Sequence, residues 1–282
     1  MSKPCAQIID GDKISQTILA DLKSKISQLP TKPGLAVILI GNDPASKRYV
    51  EKKKKACRQV GITFHEYLGG IENFFPNITQ AEIIKMINWL NQDPEINAVI
   101  IQLPLPDKFD TQTIINQLSP AKDVDGFHPQ NQYNADFNSP LIKAIDLALK
   151  TTDENFEGKR AVIVSKNPIF SDPLKKSLAK HGLKADAVKP DNQLAKITAQ
   201  ADVLISVVGQ PGLITPAMIK SGATVIDVGT TLVGKNKWLG DTDPEVKNKA
   251  GWLTPVPGGI GPLTVAMLLE NTYQLSQQQK YG

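Results

Sequence analysis

"LAVILIGNDPASKRYVEKKKKACRQVGITFHEYL", residues 35–68, decides how this chain folds. Leu35–Ile40 is an unbroken apolar run of strand length. "NDPAS" then offers capping residues and a proline suited to a first helical turn. Gly61 ends the pattern, so a helix is predicted over 45–60. Thr63–Leu68 follows as a second, more alternating strand candidate.

Outward from this stretch the same alternation recurs. Further strands are predicted at Ala98–Gln102, Ala161–Val164, Val203–Val207 and Thr224–Val228. Amphipathic helices are expected near 13–28, 80–91, 140–150, 173–181 and 192–200, and a last one over 263–277 after "GGIGP", its Gln-rich end fraying. Strands that alternate with helices indicate a parallel α/β architecture. A length of 282 residues carries a prior of roughly two domains. The break is placed near Phe137–Pro140, where "HPQNQYNADFNSP" holds few apolar residues between strand-rich halves, and a second Pro/Gly break falls at "TPVPGGIGP".

Composition narrows the function classes. With 41% hydrophobic and 21% charged residues, the chain can bury a sizeable core. Net charge is only +4, from 32 basic and 28 acidic residues without a one-sign tail, which argues against a nucleic-acid partner and suits a small anionic substrate. Cys5 and Cys57 have no paired spacing and His65, His128 and His181 are scattered, so neither a disulfide framework nor a metal site is expected. "MSKPCAQIIDGDK" lacks the apolar core of a signal peptide and no run approaches a membrane span, so a cytoplasmic protein is expected.

The four lysines at 52–55 are not equivalent. At about 100° per residue from Tyr49, Val60 falls near 20°, Lys53 near 40°, Cys57 near 80° and Val50 near 100°. Lys53 therefore lies within the apolar stripe. On the same count Lys54, Lys55 and Lys52 fall at about 140°, 240° and 300°, and read as solvated. A lysine on the buried face is either a snorkelling stem or a desolvated amine of lowered pKa, available for proton transfer. Cys57 reads as core packing.

Other polar residues stand at strand ends. Gln102 in "VIIQLPLP" (99–106) closes a strand, and ligands of open α/β sheets bind beyond such ends. "KDVDGFHP" (122–129) is an Asp-Gly turn without further metal ligands at workable spacing, whose carboxylate is able to accept paired N–H donors of a heterocycle. "VPGGIGPLT" (256–264) puts glycines before a helix, either for close backbone approach to a ligand or as a hinge. The second half has the order of a dinucleotide domain, yet its first loop, "VSKNPIFSDP" (164–173), contains no glycine. Lys166 is a cation there for a phosphate, with "VVGQPG" and "DVGTT" after later strands.

The motifs "GNDPASKRYVEKKKKAC", "VIIQLPLP", "KDVDGFHP", "VIDVGT" and "TPVPGGIGPLTVAMLLENT" occur in family order across nearly the whole chain, which resembles the bifunctional methylenetetrahydrofolate dehydrogenase/methenyltetrahydrofolate cyclohydrolase family. The resemblance implies a catalytic folate domain over 1–139, completed by a C-terminal helix at 263–282. It also implies a Rossmann-type NADP domain over 140–262, a tetrahydrofolate cleft between the two, and a homodimer. It makes Lys53 the catalytic lysine beside Tyr49, Gln102 and the folate-orienting Asp125. Leu103, Pro257, Gly258 and Gly259 join these residues around the substrate, while Ser165, Lys166, Asn167 and Thr230 meet NADP. Where relatives carry a loop close to "GRSxIVGxP", this chain has Ser165 and Ser171 for glycines, Asn167 for serine and Lys166 for a common arginine. "VKPDN" (188–192) and "NSPLIK" (138–143) replace two further family segments. The bifunctional enzyme is the first reading. A cyclohydrolase with lost or weakened dinucleotide binding is the second, and a non-catalytic folate-binding paralogue the third.

Overall fold

The computed structural model describes residues 5–70, 75–132, 139–234 and 237–281. In chain order the elements are β1 (Gln7–Ile8), α1 (Gly11–Ser27), β2 (Gly34–Ile40), α2 (Pro44–Val60), β3 (Thr63–Gly69), α3 (Gln80–Gln92), β4 (Ala98–Ile101), α4 (Thr111–Ile115), α5 (Pro129–Gln132) and α6 (Pro140–Lys150). There follow β5 (Arg160–Ser165), α7 (Pro168–Ala179), β6 (Lys184–Val188), α8 (Leu194–Thr198), β7 (Val203–Val207), β8 (Thr224–Asp227), β9 (Thr231–Val233), β10 (Lys237–Leu239), β11 (Trp252–Leu253) and α9 (Ile260–Tyr281). They form two compact units, one of Gln16–Pro140 with Val265–Gly282 and one of Met1–Ser15 with Leu141–Thr264.

The first unit is built on a parallel sheet of order β3-β2-β4, with Leu35 opposite both Phe64 and Ala98. All seven residues of β2 are buried, as a strand covered on both faces requires. Asp43 caps α2 by accepting the Ser46 N–H at 2.7 Å, Pro44 opens the helix, and Gly61 closes it at φ 89° by donating to Cys57 O. Val50, Cys57 and Val60 are its buried residues on the predicted stripe. A capping box of Thr79 and Glu82 starts α3, whose Ile83, Ile87 and Leu90 pack with Ile38 and Val99. Truncating one such fully buried side chain to alanine costs about 2–5 kcal/mol.

The second unit carries a six-stranded sheet of order β1-β11-β8-β7-β5-β6, parallel throughout, with β9 and β10 as a separate antiparallel pair. Its core gathers Val162, Val164, Leu204, Val225, Val246 and Leu253.

Four features differ from the sequence reading. Residues up to Ser15 belong with the six-stranded unit instead of the expected 1–139 body, because β1 pairs with β11 through Gln7–Trp252 and Ile8–Leu253. β6 is an edge strand with none of its residues buried, and its "KADAV" lacks the apolar run that marks the inner strands. α7 starts at Pro168, not at 173, since Pro168 suits a first turn and Pro173 is accommodated inside the helix. The Gln-rich end of α9 is tied down: Gln279 Nε2 donates to Asn97 O and Ala121 O at 2.9 and 3.0 Å. Of the interdomain loop, 133–138 lies outside the described residues.

Candidate active site

The caps of α2 fix where Lys53 stands, and the end of β4 fixes Gln102. The Gln102 N–H donates to Ile38 O at 2.9 Å, holding the residue at the carboxyl edge of the three-stranded sheet. Its Nε2 donates to Leu103 O at 2.8 Å, which turns Oε1 toward the Lys53 ammonium, 3.0 Å away. Leu103 itself packs on the apolar core.

Asp125 arrives on a loop held from several sides. Asp123 accepts N–H bonds from Gly126 (3.1 Å) and His128 (2.8 Å), and from Asn131 Nδ2 (3.0 Å). Lys122 closes the C-terminal end of α3 by donating to Leu90 O and Asp93 O. From α9, Asn271 Nδ2 reaches Val124 O at 3.3 Å. The two aspartates of "DVD" thus divide the work: Asp123 builds the loop. Among the described residues no hydrogen bond is made to the Asp125 carboxylate.

Burial holds the Lys53 ammonium below the ordinary lysine pKa, opposed by the nearby Asp125 and Cys57. Burial also raises the Asp125 carboxyl, with the Lys53 charge pulling it back and Asp123 adding to the rise. Each residue nevertheless keeps part of its surface accessible. An amine whose neutral form is favoured in this way, next to a carboxyl with no hydrogen-bond donor among the described residues, suits taking a proton from a water that attacks a bound cationic heterocycle. Cys57, one turn on, is pushed up to about 12 by burial and is no nucleophile. Tyr49, one turn before Lys53, is half-buried, with Lys52 Nζ 5.9 Å from its ring centroid.

Of the other lysines, Lys52 and Lys55 are exposed as read, but Lys54 is not fully solvated. It pairs with Glu66 of β3 at 2.7 Å and is three-quarters buried, because its place at the stripe's edge lays the stem over β3. Pro257, Gly258 and Gly259 fall in the six-stranded unit. There the Asp12 N–H donates to Gly258 O at 3.0 Å, and a Cβ on Gly259 would stand 2.5 Å from Pro255 O. The close approach these glycines permit is to their own chain.

The carboxyl edge of the six-stranded sheet gathers the remaining predicted residues. Lys166 and Asn167 are the exposed two-residue link between β5 and α7. The Ser165 hydroxyl takes the Asn167 N–H at 3.1 Å and returns a bond to Asn167 O at 3.2 Å, so that backbone donor is spent inside the loop. Ser171 is buried in α7, and Thr230 is exposed after β8, its hydroxyl on Val228 O. Beyond β7, exposed Gly209 has φ 72°, its carbonyl accepts the Thr231 hydroxyl at 3.1 Å, and the nearest neighbour of an added Cβ would lie 4.0 Å away, so the loop is uncrowded. An exposed cation, a helix N-terminus and an uncrowded loop fit a dinucleotide phosphate and its ring. Two buried carboxylates beneath this edge, Asp227 and Asp241, escaped the sequence reading. "VIDVGT" contains Asp227, but nothing in the pattern marks its bonds.

The fold and the two sites define a two-unit α/β enzyme with a part-buried lysine–amide–carboxylate set and a dinucleotide-type parallel sheet. Residues 9–125 match the tetrahydrofolate dehydrogenase/cyclohydrolase catalytic domain, and residues 142–280 match the NAD(P)-binding domain of the same enzymes. The chain belongs to the tetrahydrofolate dehydrogenase/cyclohydrolase family. It is 41% identical over 283 residues to the bifunctional protein FolD of Moorella thermoacetica, covering 97% of this chain and 99% of that one. Among solved structures it is similar to the Campylobacter jejuni bifunctional FolD (TM-score 0.90, 36% identity, 97% and 99% of the two chains). It is also similar to the Trypanosoma brucei enzyme complexed with NADP cofactor and inhibitor (TM-score 0.92, 30% identity, 99% and 100%). Among the described residues no helix is long and apolar enough to cross a membrane.

Proposed function

We propose that this chain oxidises 5,10-methylenetetrahydrofolate with NADP⁺ and hydrolyses the methenyl product to 10-formyltetrahydrofolate. The observation that carries the reading is the 3.0 Å bond from the part-buried Lys53 ammonium to Gln102 Oε1, in the field of Asp125. Asp125 accepts the adjacent N–H donors of the pterin, and Tyr49 stacks on the substrate. A water molecule attacks the methenyl carbon and gives one proton to Lys53, leaving a neutral carbinol. The bond from that carbon to one ring nitrogen then breaks as the carbinol O–H proton passes to that nitrogen, which leaves the formyl group on the other. Gln102 keeps the Lys53 amine aimed at that water. A cationic substrate beside Lys53 lowers its proton affinity further, in the direction that favours the neutral, proton-accepting amine.

NADP⁺, when bound, accepts the hydride of the first step. Lys166 meets a phosphate of the dinucleotide, with Asn167 and Thr230 at its rim. A cytoplasmic homodimer is part of the same proposal, as the resemblance to the family implies. Following methenyl formation with NADP⁺ or NAD⁺, and methenyl decay without cofactor, tests both half-reactions on one preparation. Decay without any hydride transfer would favour the cyclohydrolase-only reading that the glycine-free loop raises; absence of both would reject the enzyme.

A further inference from the structure

We infer that Asp241 is a positioning residue for the bound dinucleotide, an inference that rests on the NADP reading above. Asp241 is fully buried, and among the described residues no cation pairs with it. Its carboxylate accepts the Ser206 hydroxyl at 2.7 Å, the Val208 N–H at 2.8 Å and the Gln210 N–H at 2.7 Å. Its own N–H donates to Asp227 Oδ1 at 3.0 Å. One side chain therefore pins the end of β7 and the loop after it. The loop after β8 rests on the same group: a Cβ on Gly229 would stand 2.1 Å from Asp241 Oδ1.

Burying a carboxylate is costly even when donors surround it, and an apolar filler closes a loop at less cost. What the carboxylate adds is direction. It draws the N–H groups of Val208 and Gln210 inward and so sets which way the backbone between them, at Gly209, faces outward. In open parallel sheets that strand end is where the ligand lies. The spacing of two rim loops thus depends on a residue that touches no ligand.

Asp241→Asn tests this. Whichever way the amide turns, an NH₂ group faces at least one backbone donor that has lost its acceptor. Isothermal titration of NADP⁺ should show binding weakened roughly tenfold or more. The dehydrogenase KM for NADP⁺ should rise with it. Methenyl hydrolysis, whose proposed residues lie in the other unit, is the internal reference and should keep its kcat/KM. Ligand-free thermal unfolding reports the structural cost separately. Should Asp241→Asn not fold, Ser206→Ala removes one tether without opposing donors, and a rise of about threefold in the NADP⁺ dissociation constant is expected. Unchanged NADP⁺ binding in the folded variants, or equal loss of both half-reactions, overturns the assignment. A parent protein that binds no NADP⁺ at all refutes the cofactor reading itself, a result seen before any substitution is made.

Discussion

The ammonium of Lys53 is bonded to Gln102 Oε1 at 3.0 Å, while the Gln102 amide nitrogen is committed to Leu103 O at 2.8 Å. The amide cannot turn without breaking both bonds, so the lysine sees only an acceptor. A lysine held this way, with burial lowering its pKa, has the character that the proposed base requires.

The first prediction contrasts the lysines. Lys53→Met should retain the fold and folate binding and lower methenyl hydrolysis by roughly 10²–10⁴-fold, the usual contribution of a positioned base. Lys52→Met and Lys55→Met should leave the rate within about twofold, because those side chains are exposed. Lys54→Met should lose the Glu66 ion pair and the weaker contacts with Glu51 and the Phe64 ring, about 1 kcal/mol or less of stability, and leave the rate unchanged. Comparable rate losses in all four variants would remove Lys53 from its role.

That contrast was legible in the sequence because α2 announces its own phase: Asp43 and Pro44 start it, Gly61 stops it, and the angular position of Lys53 follows. The α/β class was legible for a similar reason, since inner strands such as Leu35–Ile40 must be apolar on both faces. What could not be read depends on contacts distant in the chain. β1 and β11 have two residues each, too few to show a period. The "DVD" turn does not say which aspartate faces inward until Asn131 and the N–H groups of Gly126 and His128 have closed on Asp123. Asp241 draws its donors from residues 31 to 35 positions earlier, and no local pattern encodes such a network.

The two aspartates should separate under substitution. Asp123→Ala strips an acceptor from three buried donors and should cost about 3 kcal/mol or more in urea unfolding. Asp125→Asn removes no hydrogen bond between described residues, so stability should hold or rise. It places a donor against the donors of the pterin, and the folate KM should climb about tenfold or more. Parent-like folate kinetics in Asp125→Asn would place the pterin elsewhere.

Lys166 is the exposed cation at the β5–α7 link, where Ser165 has already consumed the Asn167 N–H. With a backbone donor spent, dinucleotide affinity should be modest and should lean on charge. NADP⁺ carries an extra phosphate, and charge-assisted bonds to it are stronger than neutral ones. NADP⁺ should therefore be preferred over NAD⁺, and Lys166→Ala should remove most of the preference in kcat/KM. An undiminished preference in Lys166→Ala would assign selectivity to another group.

The lowered pKa of Lys53 also makes a signed prediction for stability. Below its folded-state pKa the lysine is charged in both states, and burial of that charge opposes folding in full. Between that value and the ordinary lysine pKa of about 10.4, the unfolded chain holds a proton that the folded chain has released, so stability rises with pH across the window. Above the window both states are neutral and the penalty is gone. Lys53→Met has no such titration. It should be more stable than the parent at neutral pH, with the advantage shrinking toward pH ~10. Asp125 loses its neighbouring charge in this variant, which would add a second titration. The comparison is therefore made in the Asp125→Asn background, where that carboxyl is absent. Urea unfolding of Asp125→Asn with and without Lys53→Met, from about pH 6 to 10, reads the difference directly, the window being set by the ordinary lysine value. A gap that stays constant or widens with pH would mean that Lys53 is not a desolvated amine, and its part as the base would fall with it.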